Sequence, residues 1–298
     1  MNMLQIIQAA TAEMGLPVPS YIAGNTADDA VQQLALLNAV GSRLQKEFDW
    51  QSLSTEYRFT TSASTLDGTT ASGSAIVTGI SSTTGLDTTY QVTGSGIDQD
   101  TSIVSVDSVS QVTLSRVATA TATASLVFGK VKYSNPSDYS RSTPSTQWNK
   151  TNHWRLMGPS TPQEWQQLKS GYIASGPRTF FRKLAGYFQI WPMAATNIYL
   201  GMEYISSNWA LSVALAGKST FTADTDTCVF DDRLMIEGLK AEYFSVKGFD
   251  SSNFQANYRR ELSAAKAADT GFQTLSFAGL SADYLIGFSN IPDSGYGQ

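Results

Sequence analysis

From Ala118 to Phe128 the chain alternates without interruption. Ala118, Ala120, Ala122, Ala124, Leu126 and Phe128 are apolar, and between them Thr119, Thr121, Thr123 and Ser125 carry hydroxyls. A period of two separates a core face from a solvent face only in an extended strand, and threonine's stiff β-branched side chain suits that pleated surface. The stretch therefore predicts a strand rather than a flexible tether. Drawn straight, residues 117–128 would span on the order of 40 Å at ~3.3 Å per residue, longer than strands usually run, so a bend or bulge is expected near the alanines.

The alternating run closes a segment unlike the rest of the chain. All six tryptophans (Trp50, Trp148, Trp154, Trp165, Trp191, Trp209) lie outside residues 51–147, and between Arg58 and Lys130 the only basic residue is Arg116. Inside the segment, the β-branched runs SAIVT (74–78), TYQVT (89–93), TSIVSV (101–106) and QVTLS (111–115) recur between Gly, Ser and Asp. That spacing predicts a small all-β sandwich or barrel over 65–128. If YRF (57–59) and VKY (131–133) pair as neighbouring strands, the segment leaves and rejoins its parent at one place, as a tolerated insertion does.

The flanks, 1–64 and 129–269, read as mainly helical. Leu4, Ile7, Ala10 and Met14 form a short apolar stripe ended by Gly15 and Pro17. Thr26 can cap a helix with Asp28 and Asp29 in its first turn and Val31, Leu34, Leu37, Val40, Leu44 and Phe48 along one face. Thr161, Pro162 and Glu164 give a capping box with proline at the first helical position. Asp231 or Asp232 opens a helix through Met235, Leu239 and Tyr243 that Gly248 closes; Ser252 and Gln255 suggest a capping box for the next, lined by Phe254, Tyr258 and Leu262. These helices are expected to form one bundle, with short strands near 55–61, 130–134, 178–191 and 198–205 beside it. The fold class is α+β.

After Lys266 no basic residue appears, and residues 270–298 mix Phe272, Leu275, Phe277, Leu280, Tyr284, Ile286, Phe288 and Ile291 with Gly, Ser and Asp. This composition predicts an arm that docks on another surface or packs on its own subunit. Phe272, Phe277, Tyr284, Phe288 and Ile291 are its candidate partner-interface residues.

Catalytic chemistry finds little support. A formal charge of −5 argues against general nucleic-acid affinity. Neither a secretion signal nor a run of about 18 apolar residues stands out, so a cytosolic origin without a membrane segment is expected. The single cysteine, Cys228, excludes an internal disulfide and reads as a buried neutral thiol. AGKST (216–220) ends like a phosphate-binding loop, but Ser212 stands where the first glycine belongs, so a surface turn is expected. GSG (94–96) reads as a turn, and Asp98, Asp100 and Asp107 as turn caps rather than calcium ligands. The lone histidine, His153, rules out a multi-histidine zinc site. Arg178, Arg182 and Lys183 with Phe180 and Phe181 form the densest basic-aromatic cluster, read as a solvated strand face. No catalytic, metal or cofactor residue is assigned.

The order of segments carries more information than any single site. EFDWQSL (47–53), YRFTT (57–61), YSNPSDYSR (133–141), WRLMGPSTPQEWQQLKSG (154–171), FTADTDTCVFDDRLMIEGLKAEYF (221–244) and YRREL (258–262) follow one another in a way that resembles the head-to-tail adaptor (connector, tail tubular, tail accessory) proteins of short-tailed bacteriophages. The β segment departs from the minimal adaptor pattern and looks like the Ig-like modules inserted into phage structural proteins. The resemblance implies a non-enzymatic virion protein at the portal-tail junction. It implies a homo-oligomeric ring, usually of twelve subunits, bound to the portal protein and to the tail nozzle, with genomic DNA passing through without sequence-specific contact. The competing expectation is a binding module whose β segment recognises a host-surface glycan or decorates the capsid or tail.

Overall fold

The computed structural model describes residues 1–170 and 178–270. It is a mixed α+β structure whose sheets are small and antiparallel, and none closes into a barrel. The helices are α1 (Met3–Glu13), α2 (Asp28–Glu47), α3 (Pro162–Lys169), α4 (Asp232–Val246) and α5 (Ser252–Thr270). Among the described residues, no helix is long and apolar enough to cross a membrane.

α4 is the hub of the helical part, packed against α1, α2 and α5. Its buried residues run almost all the way round, from Leu234, Met235 and Ile236 to Leu239 and Ala241, because it has neighbours on three sides. Asp231 caps it by accepting from the backbone N–H groups of Arg233 and Leu234, and Gly248 follows its end in the left-handed region, at φ 76°. α1 and α3 both start with full capping boxes, Asn2 with Gln5 and Thr161 with Glu164.

Two expected caps differ. α2 begins after Ala27 with no side-chain cap, because Asn25 Oδ1 accepts from Ala27 N and turns the chain one residue past Thr26. Its buried face is Ala30, Gln33, Leu37, Val40, Gly41, Leu44 and Gln45, which leaves Val31 exposed. At α5, the Asp250 carboxylate accepts from Ser252 N and the Ser251 carbonyl accepts from Gln255 N, so Ser252 is already inside the helix and forms no box with Gln255.

The strands in chain order are β1 (Ser54–Thr60), β2 (Ala63–Thr70), β3 (Ile76–Val77), β4 (Tyr90–Thr93), β5 (Ile103–Ser108), β6 (Gln111–Leu114), β7 (Ala122–Lys130), β8 (Lys132–Ser134), β9 (Tyr139–Ser142), β10 (Trp148–Asn149), β11 (Trp154–Arg155), β12 (Phe180–Leu184), β13 (Tyr187–Trp191), β14 (Tyr199–Ser206), β15 (Ala210–Leu211), β16 (Gly217–Lys218) and β17 (Thr227–Cys228). The sheets β2-β7-β4 and β3-β6-β5 bury one core between them, made by Val77, Val92, Ile103, Val112, Leu126 and Phe128 with their neighbours.

The alternating run behaves as two pieces. Leu126 and Phe128 are fully buried, Ala118 is buried, and Thr119, Thr121, Thr123 and Ser125 face solvent, but the strand starts only at Ala122. Before it, Ala118 exchanges backbone hydrogen bonds with Gly73 and Ser74. Thr119 N then turns to the Gly96 carbonyl, while Thr70 Oγ1 donates to the carbonyls of Ala120 and Ala122. The change of partner is the bend.

YRF and VKY do not pair with each other. β1 pairs along its whole length with β14, and β8 pairs with β13. They meet through side chains instead, with the Phe59 and Tyr133 rings 4.6 Å apart and Tyr57 OH donating to the Ser134 carbonyl. The ends of the β segment come together one step further on, where Ala63 is opposite Gly129 and Lys130 N donates to Ser62 O at 2.8 Å.

The flank between Lys132 and Cys228 is richer in strand than its sequence suggests. The sheet β1-β14-β10-β11, with β9 added on β14, lies over β12-β13-β8, and Tyr133, Leu156, Phe181, Phe188, Leu200 and Met202 fill the space between. β14 joins the two parent cores: Leu200 and Met202 belong to this one and Ile205 to the helical one. Arg141 fastens the same junction by donating to Asp49 Oδ1 and to the carbonyls of Gln45 and Phe48 at the end of α2.

Candidate functional site

Phe272, Phe277, Tyr284, Phe288 and Ile291 lie outside the described residues, as does the arm to which they were assigned. Within the described residues, several of the groups that sequence alone made candidates for chemistry are engaged in holding the fold, among them Lys218, Asp100, Asp107 and Cys228.

Lys218, from the AGKST stretch, is in β16, and its ammonium sits on Asp226 at 2.8 and 2.9 Å from the two oxygens and on Thr222 Oγ1 at 2.8 Å. Asp226 is 1% exposed and also accepts from the backbone N–H groups of Thr222 and Ala223. Burial alone would raise its pKa, but the Lys218 and backbone hydrogen bonds outweigh that and hold the carboxyl below its usual value. Glu13 is held low in the same sense, by Arg233 and Lys240 acting against its burial.

A depressed folded-state pKa contributes stability above the unfolded carboxylate pKa and loses it as pH falls through the folded value. The urea midpoint should therefore drop as pH is lowered below about 4, the unfolded carboxylate range. Asp226→Asn should cost about 2 kcal/mol at pH 7 and flatten that acid slope. An unchanged slope in the variant would contradict this account of Asp226.

Asp100 accepts from Gln91 Nε2 and pairs with Lys169 at 2.7 Å, which ties the β segment to α3. Asp107 accepts from Ser105 Oγ and Thr113 Oγ1. Asp100 and Asp107 thus have separate partners, and among the described residues no group of three or more potential ligands converges to hold a metal ion. Cys228 donates to the Phe230 carbonyl, and burial pushes its thiol up to about 12, so it is neutral at physiological pH. His153 is exposed in the β10–β11 turn with φ 57°.

Several surface features remain among the described residues. The loop from β15 to β16 exposes Val213 and Leu215 by 74% and 75%, and is closed by Ser212 N donating to Ala216 O and Leu215 N to Ser212 O. Leu215 is at φ 58°, a conformation unfavourable to a bulky residue, and with Val213 it makes the tip an apolar knob.

A cleft of about 440 Å³ runs beside α5, floored by Trp50, Phe230, Ala264 and Ala268 and rimmed by Asp231, Glu261 and Asp269. A second, of about 400 Å³, lies between α3 and the strands that face it, lined by Met157, Pro159, Leu168 and Phe180 with Glu164 and Gln167 of α3. Met157 bridges Phe180 in parallel register, and on β12 Arg182 shares the Phe180 face. Phe181 and Leu156 point the other way, into the core. Lys183 is taken up by Ser142 and the Tyr139 ring. The basic-aromatic cluster therefore divides between the core face of β12, with Phe181, and its opposite face, with Phe180 and Arg182.

No protein-family model matches the chain, and a search of curated proteins finds no match.

Proposed function

We propose that this chain is a structural subunit of a head-to-tail adaptor ring at the portal-tail junction of a short-tailed bacteriophage, lining the channel through which the genome leaves. The reading rests on the order of segments from EFDWQSL to YRREL. The structural observation that supports it best is how the polar groups are spent. Lys218, Asp226, Arg141, Asp100 and the Glu13–Arg233–Lys240 cluster all fasten one element to another, while the exposed tip at Val213 and Leu215 and the two clefts are left for outside contact. A stiff subunit with apolar contact points suits a joint. A net charge of −5 suits a channel wall that DNA must slide past rather than adhere to. In this reading residues 65–128 are an inserted Ig-like module, the helices around α4 are the adaptor bundle, and residues 270–298 are the arm that reaches the portal or the next subunit.

A second reading has one observation in its favour. The β5 edge of the inserted module exposes Val104 and Val106, and Val109 beyond it is 80% exposed, an apolar strip suited to recognising a host glycan or decorating the particle. Deleting residues 66–127 separates the two, because Thr65 and Phe128 lie on directly paired strands and can be joined. The adaptor reading with a dispensable module predicts particles that assemble and attach tails normally. Normal assembly with lost adsorption would transfer the primary role to recognition, and failed tail attachment would make the module part of the joint.

A further inference from the structure

The segment between α1 and α2 encloses, with the first turns of α2, a third cleft of about 370 Å³. Leu16, Pro17, Pro19, Ala27 and Ala30 give it apolar walls, and Gln33 lines it from one turn further along α2, its side chain leaning back toward the start of the helix. Gln33 is 4% exposed, yet its carboxamide makes no hydrogen bond among the described residues, and neither of its polar atoms is among those sealed from solvent. A buried carboxamide without a partner costs stability, so one that is neither paired nor sealed is open to a partner from outside. Asn25, by contrast, is spent: it accepts from Ala27 N and donates to the Tyr21 carbonyl. The walls are anchored on both sides, by Leu16 N donating to Thr11 O, Gln8 Nε2 to Pro19 O, and Ile22 N and Ala23 N to Asp224 Oδ1. Between these ties, proline at 17 and 19 fixes φ and biases Leu16 and Val18 toward extended backbone. The N–H groups of Val18 and Ser20 make no hydrogen bond among the described residues.

We propose that this cleft binds an extended, uncharged stretch of peptide from a partner protein, with the Gln33 carboxamide bonding both the N–H and the C=O of a single residue. In an extended strand those two groups of one residue point to the same side, and a carboxamide offers a donor and an acceptor side by side. The apolar walls take the side chain of the bound residue. Val18 and Ser20 supply main-chain donors for the carbonyls next to it, as a sheet edge does when a strand is added. The preference for an uncharged segment follows from the lining, where Asp29 is the one charged residue and lies 3.6 Å from Lys247. Nothing in this assignment depends on the ring reading.

The test titrates the isotope-labelled full chain with N-acetyl-leucine methylamide and follows the Gln33 carboxamide resonances by NMR, assigned as the pair missing from Gln33→Met. The probe is uncharged and presents the N–H and C=O of one residue between its caps. The Gln33 pair should move and saturate. Affinity should fall about tenfold in Gln33→Met, the loss of two hydrogen bonds. The ester analogue of the probe, with oxygen in place of the leucine N–H, should bind the wild-type chain several-fold more weakly. The thermal midpoint of Gln33→Met should match or exceed that of the wild type, since no internal hydrogen bond is lost. Gln33 resonances that stay fixed up to the solubility limit of the probe, equal binding by the ester, or a Gln33→Met chain that melts several degrees lower would each overturn the inference and leave the adaptor reading standing.

Discussion

Gly41→Ala should destabilise the protein by about 3 kcal/mol, although alanine is the better helix former by ~1 kcal/mol. A Cβ built at Gly41 would stand closer than 3.0 Å to three atoms of the Trp209 ring. That ring cannot step aside: it is 1% exposed and held by the Phe221 ring at 4.9 Å and the Phe230 ring at 6.2 Å. Overpacking therefore outweighs propensity, and the sign is opposite to the one expected for glycine in the middle of a free helix. Gly238→Ala should act similarly, because its Cβ would fall 2.6 Å from Val40 Cγ1 on the facing helix. Thermal unfolding reads both: at ~2–4 °C per kcal/mol for chains somewhat shorter than this one, the Gly41 variant should melt at least ~6 °C lower. A midpoint at or above wild type would show that α2 and the segment before β15 that carries Trp209 do not meet as described.

Lys240→Met should cost about 3–5 kcal/mol, the range for removing one partner of a buried ion pair. Lys240 and Glu237 are 5% and 2% exposed and 2.8 Å apart, and Lys240 also reaches Glu13 at 2.6 Å. Glu237 Oε2 has no hydrogen-bond partner, so this buried carboxylate depends on the cations at Oε1, namely Lys240 and Arg233. Pairing Lys240→Met with Glu237→Gln should recover much of the loss, since the uncompensated charge disappears with its partner. A double variant as unstable as the sum of the single ones would show that the two residues act independently.

The parts of the fold that could be read from the chain are those written in local chemistry. Thr161 with Glu164 and Asp231 before Arg233 state where α3 and α4 begin, and the Ala/Thr alternation states which side of β7 is buried. Thr26 misled because a cap depends on backbone direction, and Asn25 had already set that direction. β10, β11, β15, β16 and β17 are two residues each, too short to show a period; they form by pairing with one another across turns and, for β10, with β14 about fifty residues on. The pairing of YRF and VKY failed for the same reason: β14, far along the chain, competes for β1.

At the site, composition isolated the basic-aromatic cluster but not its division. Only the strand geometry shows that Phe181 is core while Arg182, the next residue, shares the opposite face with Phe180. The constraint on Gly41 likewise comes from Trp209, far along the chain, and no local pattern carries it.

Native mass of the purified full chain, measured alone and with portal protein, tests the adaptor reading most directly. The account predicts a closed ring of a single subunit number, formed by the chain alone or on the portal, and a stable complex with that portal. A chain that remains monomeric in both conditions and shows no portal binding would contradict it.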